Sequence, residues 1–192
     1  MASSLRLAVR QLARPLVFCH HRTCGTRCTV TDMTDAEVNA VDFAVVAYRD
    51  DGDWNVAQLP GRALDDVDSI ARELRRYPGE NGALAMISVD EDFVLVVRAQ
   101  AALVRVLLSD ATAATDWALA RSAVDHIGVH VDVDDEQAPA GDLAILADLG
   151  FSAADMGALL DDYDLYPEEV LSEVASSIGF GEKFDELVEL SD

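Results

Sequence analysis

From residue 33 onward the chain has no cysteine; its three cysteines, Cys19, Cys24 and Cys28, all lie before that point. The body of the protein therefore has no disulfide framework, no thiol nucleophile and no thiolate metal site, and a reducing compartment suits it. Cations are scarce as well, with 14 Lys and Arg against 36 Asp and Glu and a formal net charge of −22. The few cations are also unevenly placed. Residues 1–32 hold Arg6, Arg10, Arg14, Arg22 and Arg27 with the single acid Asp32, which leaves nine basic and 35 acidic residues in 33–192, a net of −26. Nucleic-acid binding depends on Lys and Arg neutralising phosphates, so such a body disfavours direct contact with RNA or DNA, and an anionic membrane surface for the same reason. No apolar run approaches the ~20 residues of a membrane-spanning helix. Motifs are missing too: there is no G-x-S-x-G and no G-x4-G-K-[ST].

What is present is a core. Apolar residues make up 51% of the 192, enough for one ordinary globular domain, or one plus a small appendage. Composition divides the chain into a basic leader (1–40), an α+β domain (41–130), an acidic linker (131–140) and a small helical domain (141–192). The leader is Arg-rich and nearly free of acids. Its compact apolar stretch Leu16-Val17-Phe18-Cys19 is shorter than the ~7–15-residue core of a secretory signal, and no Arg-Arg pair marks twin-arginine export. Met33 opens the polar run Met-Thr-Asp-Ala-Glu, which leads into the first strand-like segment, so translation is expected to start there. A cytoplasmic protein is expected. Its acidity leaves two uses open, solubility and the electrostatic attraction of a basic partner.

Periodicity predicts the order β-β-α-β-β-β-α for residues 42–127. Phe43 to Tyr48 is apolar on both faces; the turn Asp50-Asp51-Gly52-Asp53 and the alternating run Trp54 to Ala57 make a hairpin with it. Leu64, Val67, Ile70, Ala71 and Leu74 recur at helical spacing, with Asp65, Asp66 and Asp68 near the start, Arg72, Arg75 and Arg76 near the end, and Tyr77-Pro78-Gly79 as the stop. Strands follow at Leu84–Val89, Phe93–Arg98 and Val104–Leu108. Ser109-Asp110 offers a cap for a helix running to about His126, with Ala113, Trp117, Ala120 and Val124 on one stripe. The predicted fold is α+β, a mostly antiparallel five-stranded sheet with helices on one face. After the linker Asp132 to Gln137 the pattern turns helical. Leu143, Leu146, Ala147 and Leu149 predict a short helix closed by Gly150. Ser152 with Asp155 forms a capping box for a helix carrying Met156, Leu159 and Leu160. Pro167, Glu168 and Glu169 start a third, with Val170, Leu171 and Val174 apolar and Gly179 at its end. Phe184, Leu187, Val188 and Leu190 make a last one. This helical segment is too small to hold a large core alone and is expected to pack on the sheet or on a partner.

Candidate chemistry dissolves on inspection. Cys19, His20, His21, Cys24 and Cys28 have metal-ligand chemistry, but the C-x4-C-x3-C spacing matches no structural zinc module. His126 and His130 form H-x3-H, interrupted by Gly128. Gly179-Phe180-Gly181 follows a helix rather than a strand and lacks the rest of a dinucleotide loop, so it reads as a helix cap. Asp162-Tyr163-Asp164 resembles a calcium loop, but Pro167 stands where the loop needs glycine. No catalytic, cofactor-binding or metal residue is assigned, and no cofactor is expected.

Three segments do carry a resemblance. They are Ala44-Val45-Val46-Ala47 with the turn Asp51 to Trp54, the run Pro139-Ala140-Gly141-Asp142-Leu143-Ala144-Ile145-Leu146-Ala147-Asp148-Leu149-Gly150, and the closing Ile178-Gly179-Phe180-Gly181. In this order, over about residues 42–190, the chain resembles the tRNA adenosine deaminase-associated proteins of high-GC Gram-positive bacteria. The resemblance implies a place beside the deaminase and supplies no catalytic residues. The chain is not that deaminase, because zinc deaminases need H-x-E with P-C-x-x-C and neither motif is present. The expected function is a non-catalytic accessory protein binding a basic partner, the tRNA adenosine deaminase or another basic protein. Two rivals remain: a homo-oligomeric structural or small-molecule sensor module, and an enzyme of unrecognised type working through carboxylates.

Overall fold

The computed structural model describes residues 40–79, 81–132, 136–162 and 164–189; the Cys/His cluster of the leader, Met33, Tyr163, Leu190 and the middle of the acidic linker lie outside them. A single antiparallel sheet organises the body. Its strands are β1 (Val41–Asp50), β2 (Asp53–Gln58), β3 (Ala83–Val89), β4 (Phe93–Gln100), β5 (Leu103–Leu108) and β6 (Ala140–Gly141), in the spatial order β2-β1-β3-β4-β5-β6. Asp51 and Gly52, with φ of 52° and 94°, make the expected two-residue hairpin turn, and Asp50 pairs with Asp53 across it.

Alternation along each strand sends side chains to two faces, and here both are covered. On the first face Val46, Ile87, Leu95, Val97 and Leu108 pack under α1 (Val67–Leu74) and α2 (Ala118–Ile127). Asp66 caps α1 by accepting from the Ser69 N–H at 2.6 Å, while the Ser122 hydroxyl of α2 accepts from the Val67 N–H at 3.0 Å, so α2 helps to cap the start of α1. On the second face Phe43, Val45, Leu84, Met86, Val96 and Leu107 meet Met156 of α3 (Ala153–Leu160), Leu171 and Val174 of α4 (Pro167–Ile178) and Phe184 of α5 (Gly181–Glu189). Of the two covers offered for the C-terminal helices, the sheet is the one they take. Ser152 and Asp155 form the predicted capping box, and Gly179 at φ 96° closes α4.

Three expectations are corrected. The sheet has six strands rather than five, because Gly141 lays a two-residue strand along β5; two residues carry no period to read. The helix expected from Ser109-Asp110 to His126 is broken. A 3-10 turn, Ala111–Thr115, precedes α2, and Trp117 between them is extended. The reason is local competition: Asp110 accepts from both the N–H and the hydroxyl of Thr112, and the Thr115 hydroxyl donates to the Thr112 carbonyl. The helix expected at Leu143–Leu149 is a turn followed by a 3-10 segment, Ala147–Leu149, since Asp142 captures the Ala144 N–H at 2.9 Å. Its fully buried residues are Ile145 and Leu146.

Candidate functional site

The residues that sequence reading tested and set aside stay apart from one another. His126 sits in the last turn of α2. Gly128, at φ 81°, ends that helix, and His130 beyond it is exposed and 3.6 Å from Asp132. The two histidines therefore share no helix face. Gly179 and Phe180 donate their N–H groups to the Ala175 carbonyl at 3.0 and 2.9 Å, which makes this glycine a helix cap. Asp162 accepts from the Asp164 N–H in an Asx-type turn. Among the described residues no group of three or more His, Cys, Asp or Glu side chains is arranged to hold a metal ion.

The three segments behind the family resemblance, in contrast, converge on the second face of the sheet. Trp54, at the start of β2, donates its indole N–H to the Ile178 carbonyl at 3.0 Å, and its ring lies 4.7 Å from that of Phe180. Lys183 donates to the Trp54 carbonyl, and the Arg49 guanidinium stacks on the indole at 4.8 Å. The hairpin turn and the closing Ile-Gly-Phe-Gly are thus one pin across 124 residues of sequence. A second pin lies alongside. Arg98 of β4, 2% exposed, donates to both carboxylate oxygens of Asp148 at 2.5 and 2.7 Å and to the Ile145 carbonyl at 2.8 Å. Arg105 stands directly opposite Arg98 on β5, 3.6 Å from Asp148 and 3.7 Å from Asp142. Two like charges facing each other across strands repel, and the Asp142–Asp148 loop neutralises both. Hydrogen bonds from Arg98, outweighing the opposing effect of burial, hold the Asp148 carboxyl below the usual carboxylate range. Sequence reading missed this pair. The signal was an arginine in register with the apolar residues of β4, facing a run that ends in Ala-Asp-Leu-Gly.

These pins also shape the surface. Arg49, Arg98, Arg105 and Lys183 are spent on internal partners, Arg121 donates to the Ala114 and Thr115 carbonyls, and Arg62, Arg72, Arg75 and Arg76 gather around the C-terminal end of α1. The rest of the surface is left to the carboxylates. Four of them line a groove of about 330 Å³ between the β3–β4 turn, the strand ends and the residues that follow α3. Its lining joins the acids Glu91, Asp92, Asp110 and Asp162 to the apolar Val94, Leu160, Leu165 and Val170. Among the described residues no Lys, Arg or His lines it. Sequence reading did not find the groove, because its acids come from three separate stretches. A second depression of about 550 Å³ beside the tryptophan pin is polar and lined by both signs, Arg49 and Lys183 against Asp53 and Glu182.

No helix among the described residues is long and apolar enough to cross a membrane. A model of the Rv3753c-like tRNA adenosine deaminase-associated protein family matches residues 42–181. Protein Rv3753c of Mycobacterium tuberculosis is 31% identical over 151 residues, covering 77% of this chain and 87% of that protein. No solved structure matches.

Proposed function

The chain belongs to the Rv3753c-like tRNA adenosine deaminase-associated protein family, and from that premise we propose that it is a non-catalytic, cytoplasmic accessory protein that binds a basic protein, with the tRNA adenosine deaminase as first candidate. One observation carries the reading. The body holds nine cations against 35 acids, and several of those cations serve internal pins, so the outward field is negative and attracts a basic surface. An enzyme that handles tRNA must present such a surface, because phosphates are held by Lys and Arg. An acidic protein on that surface competes with RNA or shields it until RNA arrives. The same field turns nucleic acid away from this chain.

The rivals lack comparable support. A carboxylate acid–base pair needs a carboxyl raised toward neutrality, whereas Asp148 is shifted the other way. A self-assembling module would use an exposed apolar stripe on the C-terminal helices, and those helices turn Met156, Leu171, Val174 and Phe184 onto the sheet. The test is co-elution of the purified full chain with purified deaminase on a sizing column at about 0.05 M and about 0.5 M salt, which lie on either side of strong screening. A complex at low salt that dissociates at high salt is expected. Separate elution at low salt overturns the reading.

A further inference from the structure

We infer that the acidic groove between the β3–β4 turn and the α3–α4 connection is a docking site for a peptide segment in which Lys or Arg residues flank two or three apolar side chains. This rests on the accessory reading above and adds to it a surface and the chemistry of the partner.

The argument is complementarity of two kinds at one place. The lining residues Val94, Leu160 and Val170 offer apolar contact, and the cavity of about 330 Å³ is at the small end of the range that holds ligands, which suits side chains rather than a cofactor. Glu91, Asp92 and Asp162 line it too, with no cation among the described lining residues. A purely basic segment would leave the apolar lining wet, and a purely apolar one would desolvate carboxylates without pairing them. A segment carrying both satisfies both.

The Asp92 carboxylate and the turn beside it are also held in place. Asp92 accepts from the Trp117 indole N–H at 2.8 Å, and Asp42 braces the turn by accepting from the Glu91 N–H at 3.2 Å and the Ser88 hydroxyl at 2.8 Å. The turn itself is built at a cost. Asp90 and Glu91 both have positive φ, 50° and 52°, where glycine or asparagine is the unstrained choice. The side chain of Glu91 has no hydrogen-bond or ion-pair partner among the described residues, so it is free to meet a cation. Tyr166, between the lining residues Leu165 and Pro167, is 56% exposed, the kind of aromatic that anchors interfaces.

The test uses the full chain, fluorescence anisotropy and a labelled peptide of alternating Lys and Leu, with Lys/Ser and Glu/Leu peptides of equal length for comparison. Two charge-matched variants are made: Glu91→Lys with Asp162→Lys at the groove, and Asp68→Lys with Asp125→Lys at exposed positions of α1 and α2, on the other face of the sheet. Thermal melts confirm that both fold. The Lys/Leu peptide is expected to bind at least tenfold more tightly than either comparison peptide, to lose at least tenfold in the groove variant and to change less than twofold in the remote one. Equal losses in the two variants, or equal binding of Lys/Ser and Lys/Leu, overturn the proposal, since net charge alone then accounts for binding. The same variants are tested with the deaminase. Wild-type binding that both variants weaken equally keeps the accessory reading and removes the groove. Groove-dependent peptide binding with no deaminase binding keeps the groove and removes that partner.

Discussion

Removing Asp148 should destabilise the protein more than removing its partner Arg98, although both changes break the same ion pair. The asymmetry follows from exposure. The Arg98 side chain is 2% exposed and that of Asp148 is 49% exposed. Asp148→Ala leaves a buried guanidinium with the Ile145 carbonyl at 2.8 Å and the Asn81 carbonyl at 3.4 Å but no counter-charge. Stranding one partner of a fully buried pair costs ~3–5 kcal/mol, and an exposed pair is worth ~0–1 kcal/mol; with one member half in water, screening reduces the cost to about 2 kcal/mol. Arg98→Met leaves a carboxylate that water can solvate, and the methionine stem fills the space, so about 1 kcal/mol is expected. Urea denaturation of both variants measures the difference. The reasoning is refuted if Arg98→Met is the more destabilising, or if Asp148→Ala is silent. The pH dependence gives a second check. The folded Asp148 carboxyl lies below its ordinary value, so the unfolded state binds the proton more readily. The contribution is fully present above about pH 4, near the unfolded pKa, and is lost as pH falls through the folded value. The gap between wild type and Asp148→Asn should therefore close below about pH 4 and stay constant from about pH 5 to 8.

Further outcomes follow from other parts of the fold. Trp54→Phe keeps the ring beside Phe180 but leaves the buried Ile178 carbonyl without the indole N–H; a loss of roughly 1–2 kcal/mol in urea is expected. Gly141→Ala places a Cβ 2.1 Å from the Val106 carbonyl at a φ of 104°, and backbone cannot retreat as a side chain can, so roughly 2 kcal/mol or more is lost, together with amide-exchange protection of the Asp142 N–H. Glu91→Gly relieves a left-handed residue worth ~1–2 kcal/mol, offset in part by the added freedom of the unfolded chain; a melting temperature about 1–3 °C higher is expected, with weaker binding of the Lys/Leu peptide. Raising salt should also raise the melting temperature by a few degrees, roughly, as screening relaxes the self-repulsion of the acids; a flat or falling response would count against a surface dominated by one sign.

Much of the architecture was legible because local chemistry and tertiary structure agree in it. The Asp-Gly hairpin, the acidic start of α1, the Ser152–Asp155 box and the Gly179 stop are each specified by neighbours within four residues. The sheet's second cover was legible in part. Ala83–Val89 and Phe93–Val97 are buried at every position, and strands apolar on both faces require covering on both, yet the repeating helices of 42–127 can shield only one. What could not be read depends on partners far away in sequence or on side chains that compete locally with a helix. A two-residue strand has no period, and β6 exists because Gly141 allows close approach to Val106. The helix propensity around Leu143 and Thr112 yields to Asp142 and Asp110, whose side chains bind nearby N–H groups first. The Arg98–Asp148 pair spans 50 residues and the tryptophan pin 124, so the resemblance located the segments while their contact waited for the fold. The groove was hidden in a chain where acids are common everywhere; position and confinement, not residue type, set those around it apart.

The most direct test of the accessory role is the association rate of the full chain with the tRNA adenosine deaminase, measured by biolayer interferometry from about 0.05 M to about 0.3 M salt. An encounter steered by the acidic surface should be fast at low salt and slow by at least about tenfold across that range. No association at low salt, or a rate that salt leaves unchanged, would contradict the account.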